Sequence, residues 1–246
     1  MTEKKNKSMI QRRLIPTYIF LTIFSIISVF PFLWMISAAT NNYIDISKGR
    51  LMPGAFAAEN FRNLVAQQPL ARAMTNSFVY AISVTIICLF ICSLAGYGFE
   101  VYHDKWKDKL FSILLLAMMV PQVATMIPLF QMFSKAKLLN TTIGFFLPMI
   151  STPFMIMMFR QNARAFPIDI IEAARIDGLN EIQIFFRMFF PTMRSTYAAA
   201  AVITFMNSWN AYLWPKVIMT DGKSLNMVML IANTIGGYKI DYGMIM

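Results

Sequence analysis

Few residues in this chain have the types and spacing that catalysis would require. Gly222, Lys223 and Ser224 have the composition of the end of a phosphate-binding loop. That loop needs a glycine five residues before Gly222, and Val217 stands there instead. The surrounding sequence also lacks the strand and helix that hold such a loop. The sequence therefore predicts that this chain is not an enzyme and does not hydrolyse ATP.

Cys88 and Cys92 lie four residues apart, on one face of an apolar helical stretch. No histidine or acidic residue joins them in a metal-ligand pattern, so we expect two small buried side chains. A disulfide or a metal pair is the alternative. His103, the single histidine, lies in a polar segment and is expected to be solvated. The sequence predicts no metal site and no cofactor.

A second kind of chemistry is the recognition of an uncharged polar solute within apolar stretches. Amide side chains can donate to and accept from hydroxyl groups, and an aromatic face can stack on a sugar ring. A proline inside a membrane helix also frees a carbonyl. The same residues serve equally well in hydrogen bonds between helices or in an interfacial aromatic belt. We keep both interpretations open for the candidates Pro121, Gln122, Asn207, Trp209 and Asn210.

The longest amphipathic interval between apolar stretches runs from Phe166 to Pro191. Pro167 suits the first turn of a helix, where its missing N–H costs nothing. Gly178 stands where a helix requires a left-handed residue at its C-terminus. Asn180 and Gln183 have the spacing of a capping box that starts a second helix. The pattern predicts a hairpin of two short helices.

The second helix of this hairpin is expected to present one continuous apolar stripe and to end at Pro191. Taken alone, the hairpin could simply lie on a membrane surface. The residues of the stripe are Ile182, Phe185, Phe186, Phe189 and Phe190.

The composition indicates the elements that must position these residues. Apolar residues make up 57% of the chain and charged residues 14%, whereas soluble domains carry about 25% charged residues. Five charge-free stretches are each as long as the ~20 residues that a membrane helix needs. We predict an all-α polytopic membrane protein with one transmembrane domain, 1–246. Its predicted spans are about 14–39, 76–99, 110–133, 141–160 and 195–215, with the hairpin at 166–191.

The charge distribution predicts the orientation of the chain in the membrane. Five basic residues precede the first apolar stretch, which favours a cytoplasmic N-terminus and an uncleaved first helix. Alternation of the spans then places the hairpin on the cytoplasmic side. The net charge of +10 fits a membrane surface rather than a nucleic acid, because no basic stripe with interleaved aromatics occurs.

The hairpin also resembles a known family. Glu172-Ala173-Ala174, followed at the family's spacing by Gly178 and Pro191, is similar to the EAA loop of the membrane subunits of ABC importers. The chain has Met188 and Phe190 where the family has isoleucine and leucine. The resemblance implies the type I importer transmembrane fold. It implies ATPase-coupling roles for Glu172, Ala173, Ala174, Asp177, Gly178 and Pro191.

Two further segments resemble one branch, the carbohydrate importers of the maltose, lactose and glycerol-phosphate type. These are the Trp209-Asn210 pair before Pro215 and the run from Pro53 through Asn60. The resemblance implies a multi-pass protein of the bacterial inner membrane. It implies as partners two ABC ATPase subunits, a second homologous permease, an extracytoplasmic solute-binding protein, a sugar and membrane lipid. Family members have six spans, so the sixth is expected to be missing at the C-terminus.

Two functions from other classes compete with this assignment. A secondary transporter or channel fragment would not be driven by ATP, but that class places ionisable residues inside its spans, and the five stretches contain none. A membrane scaffold without transport activity would leave the bend at Gly178 without a role.

Overall fold

The computed structural model describes residues 2–236 and 242–246, and within these ranges the chain is helical without strands. The prediction of an all-α fold is therefore confirmed. The chain divides into two compact units, Met1–Pro69 with Ile231–Met246, and Leu70–Leu230. The helices are α1 (Thr2–Ala39), α2 (Tyr43–Ser47), α3 (Ala57–Gln67), α4 (Leu70–Val101), α5 (Lys105–Ala117), α6 (Gln122–Lys135), α7 (Thr142–Phe146), α8 (Pro153–Ala163), α9 (Ile168–Ile176), α10 (Glu181–Ile184), a π-helical turn (Phe185–Phe189), α11 (Phe190–Thr192), α12 (Arg194–Trp209), α13 (Leu213–Ile218), α14 (Met227–Ile235) and α15 (Tyr242–Ile245).

Two helical segments in the described residues, Leu14–Ala39 and Leu70–Val101, are long and apolar enough to cross a membrane. Helices α5 and α6 count as a third only if they form one span, and they are bent by 102°. The stretch predicted as the span 110–133 therefore consists of two helices with a sharp bend between them. The break has a physical cause, since Pro121 stands at the N-cap of α6 and begins that helix.

The predicted helices over 141–160 and 195–215 are also interrupted. Helix α7 ends at Phe146, and α8 begins at Pro153. In the first turn of a helix the N–H group that proline lacks would have no partner within the helix anyway. Helix α12 ends at Trp209, and the separate short helix α13 contains Pro215. Proline thus starts new helices here rather than bending continuous ones. How many times the chain crosses the membrane stays a prediction.

The first unit is organised around the C-terminal end of α1. The Asn60 side chain donates to the carbonyl oxygens of Ala39 and Asn41, both at 2.9 Å. These contacts satisfy carbonyls that have no partner inside α1. Gly243 is required beside Asn60, because a Cβ there would lie 2.6 Å from the amide nitrogen. Asn60 lies in the first turns of the short helix α3.

None of the residues in the most apolar window of α1 is buried within the described structure. Buried residues of α1 occur at its C-terminal end, where Ser37 and Ala38 lie. Its outward apolar side chains include Phe20, Phe24 and Phe32, each more than half exposed. In water this surface would be strongly unfavourable, whereas a hydrocarbon environment accepts it.

Helix α4 lies at the centre of the second unit, because α8 and α12 both pack along it. The closest approach is at Gly96, where a Cβ would lie 2.6 Å from the Cβ of Phe159. This confirms that small residues at the end of α4 allow a neighbouring helix to come near. Cys88 and Cys92 are buried free thiols with sulfurs 3.7 Å apart, as expected for small buried side chains.

Candidate functional site

A cavity of about 880 Å³ lies within the second unit. Its volume falls in the range typical of small-molecule sites, roughly 300–1,000 Å³. Helix α4 contributes Val84 and Cys88, and the beginning of α6 contributes Gln122 and Thr125. The beginning of α8 and the end of α12 complete the wall. The further lining residues include Met126, Leu129, Pro148, Met149, Thr152, Pro153, Met155, Thr204, Met206, Asn207, Ser208, Asn210, Ala211, Tyr212, Leu213 and Trp214.

The described lining carries polar groups but no charged side chain. Three of the five residues proposed for a solute path, Gln122, Asn207 and Asn210, lie in this one wall. The Ser208 side chain is 2% exposed, and its hydroxyl has no hydrogen-bond partner in the described structure. An unpaired buried hydroxyl is costly, so this group is suited to a partner that enters the cavity.

The other two candidates lie outside the lining. Pro121 precedes α6 and sets the direction in which that helix enters the wall. Trp209 packs against Phe78 and Phe205, with ring centroids 4.9 and 5.7 Å away. The aromatic residues of the cavity are instead Tyr212 and Trp214. Phe78 and Phe205 thus occupy much of the Trp209 ring surface, and a role for Trp209 in the solute path stays a prediction.

Thr152, Thr204 and Ser208 also line the cavity, and reasoning from the sequence missed them. Single hydroxyls in apolar helices are common and carry no spacing signal of their own. The i, i+4 relation of Thr204 and Ser208 places them on one face of α12, and this relation could have identified them.

The second candidate site is the hairpin at 166–191. Gly178 has φ +80°, as its position at the end of α9 predicts. The Gly178 N–H donates to the Arg175 carbonyl and the Leu179 N–H to the Ala174 carbonyl, both at 3.0 Å. These two bonds form a Schellman motif, which fixes the direction of the chain after the helix.

The second arm of the hairpin begins with the expected capping box. The Asn180 side chain accepts from the Gln183 N–H, and the Gln183 side chain accepts from the Asn180 N–H, both at 2.9 Å. Both ends of the bend are therefore held by hydrogen bonds to backbone groups. Since the Schellman motif and the capping box adjoin, the bend has little freedom to change its angle.

The helix of the second arm does not end at Pro191, which corrects the sequence-based expectation. A π-helical turn over Phe185–Phe189 precedes the proline, α11 ends one residue after it at Thr192, and α12 begins at Arg194 beyond the turn at Met193. The Phe190 N–H donates to the Phe185 carbonyl, five residues back. The wider turn leaves room for the proline ring, which would otherwise clash with a carbonyl four residues earlier. The Thr192 hydroxyl donates to the Met188 carbonyl at 2.8 Å.

The π-helical turn also divides the predicted apolar stripe between two faces. Phe185 and Phe189 are buried, whereas Ile182, Phe186 and Phe190 are exposed. The two buried rings pack on Tyr97 of α4 with centroids 5.4 and 4.8 Å away. The hairpin core, as we call this cluster, comprises Tyr97, Ala163, Phe166, Ile171, Ala174, Ile184, Phe185, Phe189 and Met193.

The residues of the EAA pattern divide in the same way. The Ala174 side chain is 3% exposed and lies in the hairpin core. Ala174 therefore packs inside the hairpin, and its implied role in ATPase coupling stays a prediction. Glu172, Ala173, Asp177 and Gly178 are exposed, and Pro191 is half-buried.

An ion pair joins the two arms of the hairpin. The Arg175 Nε lies 2.8 Å from a carboxylate oxygen of Glu181, and both side chains are partly exposed. The pKa of Glu181 is held below its ordinary value, most strongly by the hydrogen bond from Arg175 and next by a hydrogen bond with Tyr102. The Arg175 guanidinium also lies 5.7 Å from the centroid of the Tyr102 ring. These contacts connect the hairpin to the segment that follows α4.

A charge cluster centred on the buried Arg160 lies beside the hairpin core, and reasoning from the sequence missed it. The Arg160 side chain is 6% exposed. Its Nε lies 3.1 Å from Glu100, and its Nη2 lies 2.5 Å from Asp108. Arg164 contacts Glu100 at 3.3 Å. The Arg160 guanidinium lies 4.3 Å from the centroid of the Phe111 ring. The two arginines and two carboxylates balance in charge.

The cavity and the hairpin core share three helices. Helix α4 contributes Cys88 to the cavity and Tyr97 to the hairpin core. Helix α8 contributes Met155 to the cavity and Ala163 to the hairpin core. Helix α12 begins beside Met193 of the hairpin core and reaches the cavity with Thr204 and Ser208. A displacement of the hairpin therefore has a direct mechanical route to the cavity wall.

This combination of a helical fold with outward apolar surface, a polar cavity and a rigid hairpin defines a membrane transport component. Residues 93–246 match the family described as binding-protein-dependent transport system inner membrane component. The chain belongs to that family. It is therefore a permease subunit of an ABC importer, and the assignment made from the hairpin pattern is confirmed.

Relatives with assigned names agree with this family. The chain is 40% identical over 239 residues to the lactose transport system permease protein LacG of Rhizobium radiobacter, which covers 96% of this chain and 88% of LacG. It is 34% identical over 170 residues to the arabinooligosaccharides transport system permease protein AraQ of Bacillus subtilis, covering 69% of this chain and 60% of AraQ.

The fold also matches a solved structure. The match is a chain in the crystal structure of a bacterial ABC transporter involved in the import of the acidic polysaccharide alginate. The TM-score is 0.85 at 19% identity, covering 94% of this chain and 82% of that chain. This similarity confirms the importer permease fold. Membership of the family implies an ATPase and a binding protein as partners.

Proposed function

We propose that this chain is the membrane-spanning permease subunit of an ATP-driven carbohydrate importer. The 166–191 hairpin couples it to a separate ATPase, and the cavity forms part of the sugar path. One observation supports the proposal: α4 and α8 each contribute to both the hairpin core and the cavity wall, and α12 packs on that core with Tyr197 and reaches the cavity wall.

The hairpin is suited to docking because its bend is fixed and its outer surface is apolar with charges nearby. Ile176 is 87% exposed and Ile182 is 70% exposed, on either side of Gly178. Glu172 and Asp177 add exposed carboxylates, which would face basic groups or a helix N-terminus of the ATPase. Ala174 and Pro191 support this surface from within.

The cavity lining supports a neutral, hydroxyl-rich solute. Gln122, Asn207 and Asn210 offer amide groups, and Tyr212 and Trp214 offer ring surface. A phosphate or carboxylate would enter this lining without a cationic partner, which is unfavourable. The similarity to LacG supports a carbohydrate. Pro121 and Trp209 would act on the path indirectly, through the direction of α6 and the packing of the end of α12.

The remaining features of the complex follow from the same proposal. The N-terminus is cytoplasmic, the hairpin faces the cytoplasm, and the spans follow the intervals predicted from the sequence. Two ATPase copies hydrolyse ATP, a second homologous permease completes the path, and an extracytoplasmic binding protein delivers the sugar. Alternating access results if ATP and sugar have different affinities for the inward-open and outward-open states.

A secondary transporter is the competing proposal. Proton- or ion-coupled carriers place ionisable residues in their solute paths, and the described cavity lining has none. The lining therefore favours an importer driven by ATP hydrolysis on a separate subunit over an ion-coupled carrier.

Reconstitution tests the proposal. The complete complex, with its ATPase and binding protein, is placed in proteoliposomes, and uptake of labelled lactose is measured. Uptake should require ATP, survive dissipation of ion gradients, and exceed uptake of sn-glycerol 3-phosphate. Uptake that follows an ion gradient without ATP would favour the carrier. Preference for the phosphate ester would contradict the assignment of a neutral solute.

A further inference from the structure

Helix α5 is held by few contacts within the second unit. None of its residues is buried, although one face touches α4 and α8. Its specific contacts are concentrated near its beginning, where Asp108 pairs with Arg160 and the Phe111 ring lies against the same guanidinium. Arg160 therefore provides the charged attachment of α5 to the helices behind it, next to the apolar packing of Phe111 and Leu114 on those helices.

The same arginine lies next to the hairpin core. Ala163 follows Arg160 by three residues on α8, and Glu100 follows Tyr97 by three residues on α4. Residues three apart are neighbours on a helix surface. Ala163 and Tyr97 belong to the hairpin core. The charge cluster thus lies directly between the hairpin core and α5.

On its other side, α5 leads into the cavity wall. It is followed after a short bend by α6, whose first turns bring Gln122 and Thr125 into the lining. Helices α4, α8 and α12 already connect the hairpin core with the other parts of the wall. Helix α6 is also held through Phe133, whose buried cluster includes Tyr80 of α4 and Trp214 of α13. Arg160 adds a charged link between the hairpin core and the α5 end of this wall.

We propose that Arg160 is a positioning residue that transmits displacement of the hairpin to the α5–α6 wall of the cavity, through its paired contacts with Glu100 and Asp108. This inference rests on the proposed coupling function of the hairpin. It assigns a role to a residue outside both the EAA pattern and the cavity lining. Buried Arg160 cannot itself be removed cleanly, because truncation would leave Glu100 and Asp108 without their shared cation. Asp108 is the better target.

The test compares Asp108→Asn, Asp108→Glu and the control Glu59→Gln in the reconstituted complex with its ATPase and binding protein. Asp108→Asn keeps the Arg160–Glu100 pair and weakens the link to α5. We expect normal assembly and ATP hydrolysis, with lactose uptake per ATP reduced about fivefold. Asp108→Glu should restore most of the uptake, and Glu59→Gln should behave as wild type.

A spectroscopic measurement separates transmission from simple loss of structure. Spin labels are placed at Lys109→Cys on α5 and Asn162→Cys on α8, with Cys88 and Cys92 replaced by serine. The distance between labels should follow the nucleotide state as a single population in the wild-type background. With Asp108→Asn it should broaden and lose that dependence. If Asp108→Asn assembles poorly, Phe111→Leu is measured in the same way, because it leaves all four charges in place.

The outcomes are distinguishable. Unchanged uptake per ATP with unchanged label distances for Asp108→Asn would overturn the role of Arg160 and leave the hairpin proposal intact. A parallel fall in ATPase association and uptake would also overturn it, because docking itself would then have been damaged. The hairpin proposal itself would fail on a different result: normal ATPase association and normal sugar uptake in the Gly178→Val variant.

Discussion

The Nε of Arg175 lies 2.8 Å from the carboxylate of Glu181, so the two arms of the hairpin are joined across the bend at Gly178. The pair is partly exposed, so its own contribution to stability is small. The Arg175–Glu181 pair adds a third restraint on the angle between the two arms, beside the Schellman motif and the capping box. A bend restrained in three ways can transmit force without changing its own angle.

Gly178→Val should weaken ATPase association and uptake while leaving membrane abundance normal. A β-branched residue at φ +80° faces a penalty of about 1–2 kcal/mol. We therefore expect roughly a five- to thirtyfold loss in association, measured by co-purification of the ATPase and by uptake. Gly49→Val is a matched control, since Gly49 has φ +71° and equally open surroundings but lies in the other unit. Equal losses for both variants would contradict the prediction.

The Arg175–Glu181 pair predicts a dependence of stability on pH. The folded-state pKa of Glu181 is lower than its ordinary value of 4.5. A lowered carboxyl pKa means that the stabilisation is complete above the ordinary value and is lost as the pH falls through the folded-state pKa. The wild type should therefore unfold at a higher temperature than Glu181→Gln at pH 7, and this difference should shrink below pH 4.5. A difference that persists unchanged into acid would show that the pair is not its source. Glu59→Gln controls for net charge.

Gln122→Leu should raise the KM for sugar uptake about tenfold, as expected when one hydrogen bond to a solute is lost. The side chain keeps a similar size, so assembly and ATP hydrolysis should persist. Gln131→Leu is the control, because Gln131 is exposed on the same helix and does not line the cavity. Equal KM values for wild type and Gln122→Leu would remove Gln122 from the solute path.

Orientation can be tested by cysteine labelling with a reagent that does not cross the membrane. Lys223→Cys should be modified from outside the cell, and Ile182→Cys only after the membrane is opened. The wild type should remain unlabelled, since both native thiols are buried. The reverse pattern of labelling would invert the proposed topology.

Gly96→Ala should lower the thermal stability and the membrane abundance of the protein. The added Cβ would lie 2.6 Å from the Phe159 Cβ and 2.8 Å from the Arg160 backbone nitrogen. Such overpacking typically costs about 1–3 kcal/mol. Gly98→Ala adds the same methyl group on the same helix in open space, and should be tolerated. Melting of the purified protein in detergent would distinguish the two variants.

The hairpin could be predicted in detail because its determinants are local. Proline at the start of a helix, a left-handed glycine and a capping box each act over three or four residues. Gly178, Asn180 and Gln183 therefore behave as their spacing indicates. Family resemblance added the functional assignment, which the local pattern could not supply.

The features that sequence reasoning missed have two causes. Some depend on contacts between residues far apart in the sequence, and others on local patterns that are compatible with more than one backbone conformation. Arg160 is buried only because Glu100 and Asp108 come from two other helices. Pro191 was expected to end a helix, yet a π-helical turn accommodates it. Pro121 and Pro153 could equally bend a helix or begin one, and the sequence does not distinguish these outcomes. The packing of Phe78 and Phe205 on Trp209 likewise depends on contacts that its local sequence does not specify.

Helix α4 runs from the hairpin core to the cavity, so a tilt applied at one end displaces the other end. Nine residues separate Cys88 from Tyr97, which corresponds to about 14 Å along a helix axis. A tilt of about 10° applied at the Tyr97 end would move the Cys88 end sideways by about 2 Å over that length. A sideways shift of this size is large compared with the range of donor–acceptor distances that a hydrogen bond tolerates. A small rocking of the hairpin would therefore be enough to make or break the contacts that hold a sugar.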